Sequence, residues 1–292
     1  MSDKDLNYKN KYLKYKIKYL NLLNQIGGDE ETDVLLAIFN KDWNFLSSGL
    51  KKEEKDKYYK IIEDQFISSF NFRDRKITEN FIKNITDYLK INKLIKTINI
   101  SAINPPIGDN GAIEIAKELN TTTILSELII SKNKIDAKGA NAIATALIDN
   151  ISLKKLDIGY NKIGDEGTKA IATALETNEV LTTLDICCNN ISDDGAKAIA
   201  TALEINEKLK TLIIYFNIIK ESGATAIASA LKINKGLTTL DIGFNYINYE
   251  GVRAIAEALE INEGLTTLEI IINMIDDDGA IAIARALKKI HI

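Results

Sequence analysis

The residue types that could carry chemistry are nearly absent from this sequence of 292 residues. It contains one histidine, His291, and two cysteines, the adjacent pair Cys187 and Cys188. A zinc site built from cysteine and histidine therefore lacks ligands, and His291 is the one imidazole that could activate a nucleophile. The sequence has no phosphate-binding loop motif and offers scattered carboxylates as general bases. We therefore expect a protein that is not an enzyme and that uses no cofactor, metal or small-molecule substrate.

The composition and charge argue against two further classes, nucleic-acid-binding proteins and membrane-spanning proteins. Charged residues make up 27% of the chain and the net charge is -4, so the electrostatic field as a whole disfavours nucleic acid as a partner. No apolar run reaches the roughly 20 residues of a membrane-spanning helix, and the lysine-rich start is unlike a secretory signal. The thiols indicate a reducing compartment. We expect an intracellular protein without a transmembrane segment.

The elements that would position side chains follow a repeat of 28 residues. Glycine recurs at this spacing from Gly111 to Gly279, and isoleucine and leucine positions keep the same phase. The clearest copy starts at Leu181 and reads LTTLDICCNNISDDGAKAIATALEINEK. Its first part has strand-like alternation and its second part has helical spacing, with Ser192 as N-cap and Asn206 as a left-handed C-cap. Each unit is thus predicted to form a strand, a turn and a helix that stack on the next unit.

The pattern LxxLxIxxNxIxxxGAxAIAxALxxN, from Leu181 to Asn206, closely resembles leucine-rich repeats of the 28-residue ribonuclease-inhibitor type. Similar units occur in the sensor regions of NOD-like receptors and in the activating protein of the Ran GTPase. The resemblance covers about residues 95 to 292. It implies an α/β leucine-rich-repeat solenoid, or horseshoe, with parallel strands on the concave face and helices on the convex face. It also implies a structural asparagine ladder made of Asn133, Asn161, Asn189, Asn217, Asn245 and Asn273.

The sequence predicts four segments. We expect residues 1–28 to form a basic, helical tail rich in tyrosine and lysine, 29–75 a small helical region, 76–94 an N-terminal capping half-repeat, and 95–292 seven repeats. The half-repeat is predicted from Ile82, Ile85 and Leu89, which keep the helical phase of the repeats without a strand motif before them. It would cover the open end of the array.

The tail holds six lysines, two aspartates and four tyrosines, and the tyrosines are spaced 4, 3 and 4 residues apart. On a helix this spacing makes one aromatic stripe. Three interpretations stay open: a helix that docks on a partner or pairs as a coiled coil, a helix that lies on an anionic membrane, and a segment that stacks on nucleic acid.

The stretch YKNKYLKYKIKYLNLLNQIGG also resembles the lysine- and tyrosine-rich N-termini of proteins from giant amoeba-infecting DNA viruses. This resemblance implies a targeting segment and a location in the host cytoplasm, the viral factory or the virion. Gly27 and Gly28 resemble the cleavage site of viral SUMO-like proteases, which makes them a candidate processing site.

In such a solenoid, the strand positions between the core leucines face the concave side. One column of these positions is acidic, and a second column is rich in aromatic residues. Interfaces favour tyrosine and phenylalanine, and the acids would select a basic protein partner. Two alternatives stay open: the acids are copies of one ancestral unit, or the rings only pack on one another. The predicted partner-binding residues are Tyr160, Tyr215, Phe216, Phe244, Tyr246, Asp157, Asp185, Asp241 and Glu269.

These features predict a non-catalytic scaffold for protein–protein interaction that binds its partner on the concave face. Resemblance to the Ran activator implies an alternative, a small-GTPase regulator, although the long acidic tail of that family is missing. A faint F-box resemblance in Asp33–Asn40 implies a ubiquitin-ligase adaptor, and a structural virion component is a further alternative. The last strand, near Leu268–Ile272, would lack a following neighbour, which predicts weak homodimerisation through the C-terminal repeat or a frayed last unit.

Overall fold

A computed structural model describes residues 69–77, 81–91 and 95–289. Within these ranges eight strands alternate with eight helices, and the strands form one sheet in chain order. The elements are β1 Ser69–Asn71, α1 Phe81–Ile91, β2 Thr97–Asn99, α2 Gly108–Leu119, β3 Glu127–Ile129, α3 Ala137–Ile148, β4 Lys155–Asp157, α4 Gly164–Thr177, β5 Thr183–Asp185, α5 Asp193–Ile205, β6 Thr211–Ile213, α6 Glu221–Leu231, β7 Thr239–Asp241, α7 Tyr249–Leu259, β8 Thr267–Glu269 and α8 Asp277–Lys289.

All seven strand pairs are parallel, and each is shifted by one repeat, so equivalent residues lie side by side. Leu184 pairs with Leu156 on one side and with Leu212 on the other, and all three are fully buried. Each helix packs on the next helix along the chain. Parallel strands lie about 4.8 Å apart whereas packed helices need 8–10 Å, so stacking favours curvature with the sheet inside. The prediction of an α/β leucine-rich-repeat solenoid is confirmed.

The N-terminal end of the array differs from the sequence-based expectation. Strand β1 lies inside the segment 29–75 that was assigned to helices, and Phe70 pairs with Ile98 of β2. Phe72 packs edge-on against Phe81 of α1 with ring centroids 5.0 Å apart, and both rings are fully buried. The predicted boundary of the half-repeat at 76–94 is therefore wrong. The sequence pattern does not reveal the strand because phenylalanine occupies positions that leucine or isoleucine occupies in the other strands. The tail 1–28, with Gly27 and Gly28, lies outside the described residues.

Asparagines join consecutive units where the chain leaves each strand. Asn217 is buried, and its Oδ1 accepts hydrogen bonds from the backbone N–H groups of Asn189 and Ile191, at 2.9 and 3.0 Å. Its Nδ2 donates to the carbonyls of Ile186 and Ile214, at 3.3 and 2.9 Å. One side chain thus pairs backbone groups in two units. The same donor pattern recurs at Asn133, Asn161, Asn245 and Asn273. Asn189 also bonds to two units, because its Nδ2 donates to the carbonyls of Ile158 and Cys187.

A second row of asparagines lies at the ends of the helices. Asn206 has φ -84° and ψ 114°, so the prediction of a left-handed C-cap at this residue is wrong. Its Nδ2 donates to the carbonyls of Leu175 and Asn178 in the preceding unit, at 2.7 and 2.9 Å. Its Oδ1 accepts from the N–H groups of Lys208 and Leu209. The row therefore pairs carbonyls that a helix end would leave without partners. It consists of Asn150, Asn178, Asn206, Asn234 and Asn262.

Replacing one asparagine of this second row should destabilise the array. In Asn206→Ala, two carbonyls and two N–H groups lose their partners in a buried place, and we expect the free energy of unfolding to fall by about 2 to 3 kcal/mol. Asn141→Ala, at an exposed position of α3, is the matched control and should change it by less than about 0.5 kcal/mol. Urea denaturation of both variants measures the difference, and equal losses would contradict this role for Asn206.

Candidate interaction surface

The sheet has one face against the helices and one face turned away from them, which we call the inner face. In strands β2 to β7 the central residue is buried and its two neighbours are half-buried. The pairing registers place the predicted acids in one column of this inner face. That column, which we call the acid column, consists of Ile129, Asp157, Asp185, Ile213, Asp241 and Glu269.

The acids in the column have an unfavourable electrostatic environment. Asp185 Oδ1 accepts the N–H of Cys187 at 3.0 Å, yet burial raises the pKa of Asp185, and the neighbouring Asp157 raises it further. Burial likewise raises the pKa of Asp241, against the hydrogen bond from the Gly243 N–H. Since these pKa values are raised in the folded chain, ionised Asp185 and Asp241 oppose folding at neutral pH. A cationic group placed over the column would relieve this repulsion.

Four aromatic rings form a connected cluster beyond the carboxyl ends of the strands. The Tyr160 and Tyr215 hydroxyls are hydrogen-bonded at 2.7 Å, and their rings meet edge-on with centroids 6.5 Å apart. Phe244 lies between Tyr215 and Phe216, at centroid distances of 6.4 and 6.0 Å. The Lys132 ammonium lies 4.8 Å from the centroid of Tyr160. We call Tyr160, Tyr215, Phe216 and Phe244 the aromatic cluster.

The aromatic cluster remains open to solvent. Tyr160 is 44% exposed, Phe216 59% and Phe244 37%. Tyr246, 53% exposed, lies with Phe216 and Phe244 around a cavity of about 350 Å³, which Cys188, Ile218 and Ile272 also line. The rings do pack on one another, as one alternative held, but the packing leaves a large aromatic area uncovered.

The two cysteines lie beneath the tyrosines. Cys187 is buried and Cys188 is half-buried, and the hydroxyls of Tyr215 and Tyr160 influence the pKa values of Cys187 and Cys188, respectively. Burial raises the pKa of both thiols, and the carboxylate of Asp185 raises that of Cys187 further. Protonated thiols are weak nucleophiles, so these cysteines serve as packing groups. A Cβ at Gly159 would come within 2.7 Å of Cys187 Sγ, so this position requires glycine.

The residues at the turn that follows each strand form a second column, which we call the outer column. They have φ between 50° and 57°, in the left-handed region that is unfavourable by about 1–2 kcal/mol for residues other than glycine. This turn lies directly before the first row of asparagines. Because of it, the side chains of the column no longer follow the alternation of side chains along the strand. Sequence reasoning missed it because no glycine marks the position. The residues are Ala102, Lys132, Tyr160, Cys188, Phe216, Phe244 and Ile272.

Two other kinds of site are absent from the described residues. Among residues 69–77, 81–91 and 95–289 there is no group of three or more side chains that could hold a metal ion. No helix in this part of the chain is long and apolar enough to cross a membrane.

Comparison with known proteins identifies the repeats. The leucine-rich repeat family model matches residues 123–144, 149–172, 177–200 and 234–256. These four segments therefore match leucine-rich repeats, and the alternating strands and helices of the structure fit the corresponding α/β solenoid. No curated protein matches the sequence significantly.

Several solved structures are similar in fold. Leiomodin-1 actin-binding site 2 is 20% identical with a TM-score of 0.42, and the match covers 61% of this chain and 86% of that one. The tropomodulin C-terminal domain of Caenorhabditis elegans is 13% identical with a TM-score of 0.41, covering 62% and 92%. An internalin of Listeria monocytogenes is 19% identical with a TM-score of 0.46, covering 79% and 67%.

The left-handed backbone of the outer column predicts that a substitution by glycine stabilises the chain there, whereas glycine usually destabilises a folded element. Ala102→Gly should raise the free energy of unfolding by about 1 kcal/mol, because glycine adopts φ 54° without steric strain. Ala198→Gly, within helix α5, should instead lower it by about 1 kcal/mol. Urea denaturation checks both changes. A loss of stability in Ala102→Gly would show that this backbone turn is not strained.

The acid column predicts a pH-dependent gain. Asp185→Asn keeps an acceptor for the Cys187 N–H and removes a charge that faces Asp157, so it should stabilise the chain by up to about 1 kcal/mol at pH 7. Because the pKa of Asp185 is raised in the folded chain, the protonated carboxyl favours folding relative to the ionised one, and ionisation above the folded pKa destabilises the chain. The gain should therefore vanish at pH 3. Glu204→Gln, at an exposed site on α5, is the control that should show no such change.

Proposed function

We propose that this chain is a non-catalytic protein-interaction module that binds a protein partner on its inner face, through the aromatic cluster, Tyr246 and the acid column. The observation that carries the proposal is the exposed aromatic cluster, two of whose rings, Phe216 and Phe244, line the 350 Å³ cavity. Exposed aromatic groups beside charged residues are typical of protein-binding centres.

The arrangement of the rings supports tight recognition. Tyr160, Tyr215, Phe244 and Phe216 restrain one another through three ring contacts and one hydroxyl–hydroxyl bond. Side chains that are already ordered lose little conformational entropy when a partner covers them. Burying aromatic area of this kind typically supplies the largest share of binding energy in an interface.

The acid column supports selection of a basic partner. Asp157 and Asp185 lie side by side, as do Asp241 and Glu269, and neighbouring like charges in a sheet oppose folding. A lysine or arginine of a partner would be attracted to each pair and would lower the raised pKa values of Asp185 and Asp241. Binding should therefore be weakened by salt.

The other functional expectations stay predictions. The F-box-like segment Asp33–Asn40, the viral resemblance of the tail and the processing site at Gly27 and Gly28 fall outside the described residues. Regulation of a small GTPase, a location in the host cytoplasm, viral factory or virion, and the ribonuclease-inhibitor subtype also stay predictions. Strand β8 is the last strand of the described sheet, and weak homodimerisation through this repeat remains untested.

The proposal predicts which surface variant loses its partners. In affinity capture from a lysate, the full chain with Phe216→Ala and Phe244→Ala should lose at least one captured protein or retain it about tenfold more weakly. The matched control is Ile205→Ala with Ile233→Ala, which removes two side chains that are 60% and 58% exposed at equivalent positions outside the inner face. Circular dichroism checks that both variants fold. An unchanged set of captured proteins in the phenylalanine variant would refute the choice of surface.

A further inference from the structure

The charges of the chain are divided unevenly along its length. Residues 1–28 hold six lysines and two aspartates, whereas the other 264 residues hold 31 basic and 39 acidic side chains. The tail therefore has a net charge of +4 and the remainder -8. Within the remainder, the acid column collects four carboxylates on the inner face.

We propose that the inner face binds the chain's own N-terminal segment, residues 1–28, with lysines over the acid column and apolar or aromatic side chains at the cavity. This inference rests on the proposed function, because it names an occupant for the same surface. An external partner would then compete with the tail for the inner face.

The residue types of the tail match those of the surface. Lysine and tyrosine or leucine alternate closely in it, as in the stretch YLKYKIKYL. On the inner face, each acid precedes an outer-column residue of the same unit by three positions, as in Asp157 and Tyr160 or Asp241 and Phe244. Three residues span at most about 10 Å of backbone, so a lysine and a neighbouring aromatic group can reach both columns at once.

The cavity offers a contact for the tyrosine and leucine side chains of the tail. Its apolar lining comes from Phe216, Phe244, Tyr246, Ile218 and Ile272, and Asn190, Asn217 and Asn245 supply polar groups beside them. A tyrosine or leucine side chain placed there would remove apolar area from water, both its own and that of the exposed rings, which favours binding. Charge attraction and apolar burial would then act on residues close together in the tail, whereas lysines alone would give weak, salt-sensitive binding.

The length of chain between the tail and the sheet permits the contact. Residues 29–68 number 40, and a chain of 40 residues can reach about 60 Å as one continuous helix and about 130 Å when fully extended. The eight strands, at about 4.8 Å each, extend over roughly 34 Å. Binding of a tethered segment is an intramolecular step, so its occupancy does not fall when the protein is diluted.

The test is zero-length cross-linking of the full chain with a carbodiimide, which joins lysine amines to carboxylates in direct contact. Equal amounts of ¹⁴N- and ¹⁵N-labelled chain are mixed before the reaction, so that mass spectrometry separates links within one molecule from links between two. We expect tail lysines to be linked to Asp241 and Glu269 within single molecules. The double variant Phe216→Ala and Phe244→Ala should reduce these links about tenfold, and Ile205→Ala with Ile233→Ala should leave them unchanged.

Three results would overturn the inference: no link from the tail to the acid column, links that contain both isotopes, or tail links distributed equally over exposed acids of helix α7 such as Glu250 and Glu257. The capture experiment separates this failure from that of the proposed function. If the phenylalanine variant loses captured proteins while the tail links are absent, the inner face binds another protein and the tail assignment alone is wrong. If the variant changes neither measurement, both proposals are wrong.

Discussion

The structure depends on backbone hydrogen bonds that each repeat makes with its neighbours through buried asparagine side chains. A unit of 28 residues has too little apolar area to form a core alone, and its turns and helix ends contain backbone groups that water cannot reach once units stack. Asn217 and Asn206 each bond to backbone in two successive units. The array is thus held at two edges, one at the strand exits and one at the helix ends.

The turn at the strand exits also creates the candidate surface. The chain enters a left-handed conformation immediately before each asparagine of the first row, and the carbonyls around this turn accept hydrogen bonds from that asparagine. A side chain at the turn leaves the alternation of the strand and projects beyond the sheet. Three of these turns carry the aromatic residues Tyr160, Phe216 and Phe244. Tyr215, which is not at a left-handed turn, connects Tyr160 to Phe244 and completes the aromatic surface.

Two features of the inner face oppose folding. The paired acids repel one another, and left-handed φ values are unfavourable at aromatic residues. Both lie on the surface that carries exposed aromatic groups, and strain and like charges tend to gather at binding sites. A basic, partly apolar ligand would reverse the first effect and cover the rings whose positions depend on the second.

The sequence by itself determined the period of the array, the alternation of strand and helix, and the two columns that contain Asp157, Asp185 and the aromatic residues, because residues 28 apart must become neighbours in a stacked repeat. It did not reveal strand β1, since Phe70 replaces the usual leucine, or the extended conformation and inter-unit bonds of Asn206. Tertiary structure alone decided how the rings meet: the bond between Tyr160 and Tyr215 crosses an entire intervening unit. Ring contacts, thiol burial and raised pKa values depend on distances between side chains of several units, and the pattern within one unit contains no information about those distances.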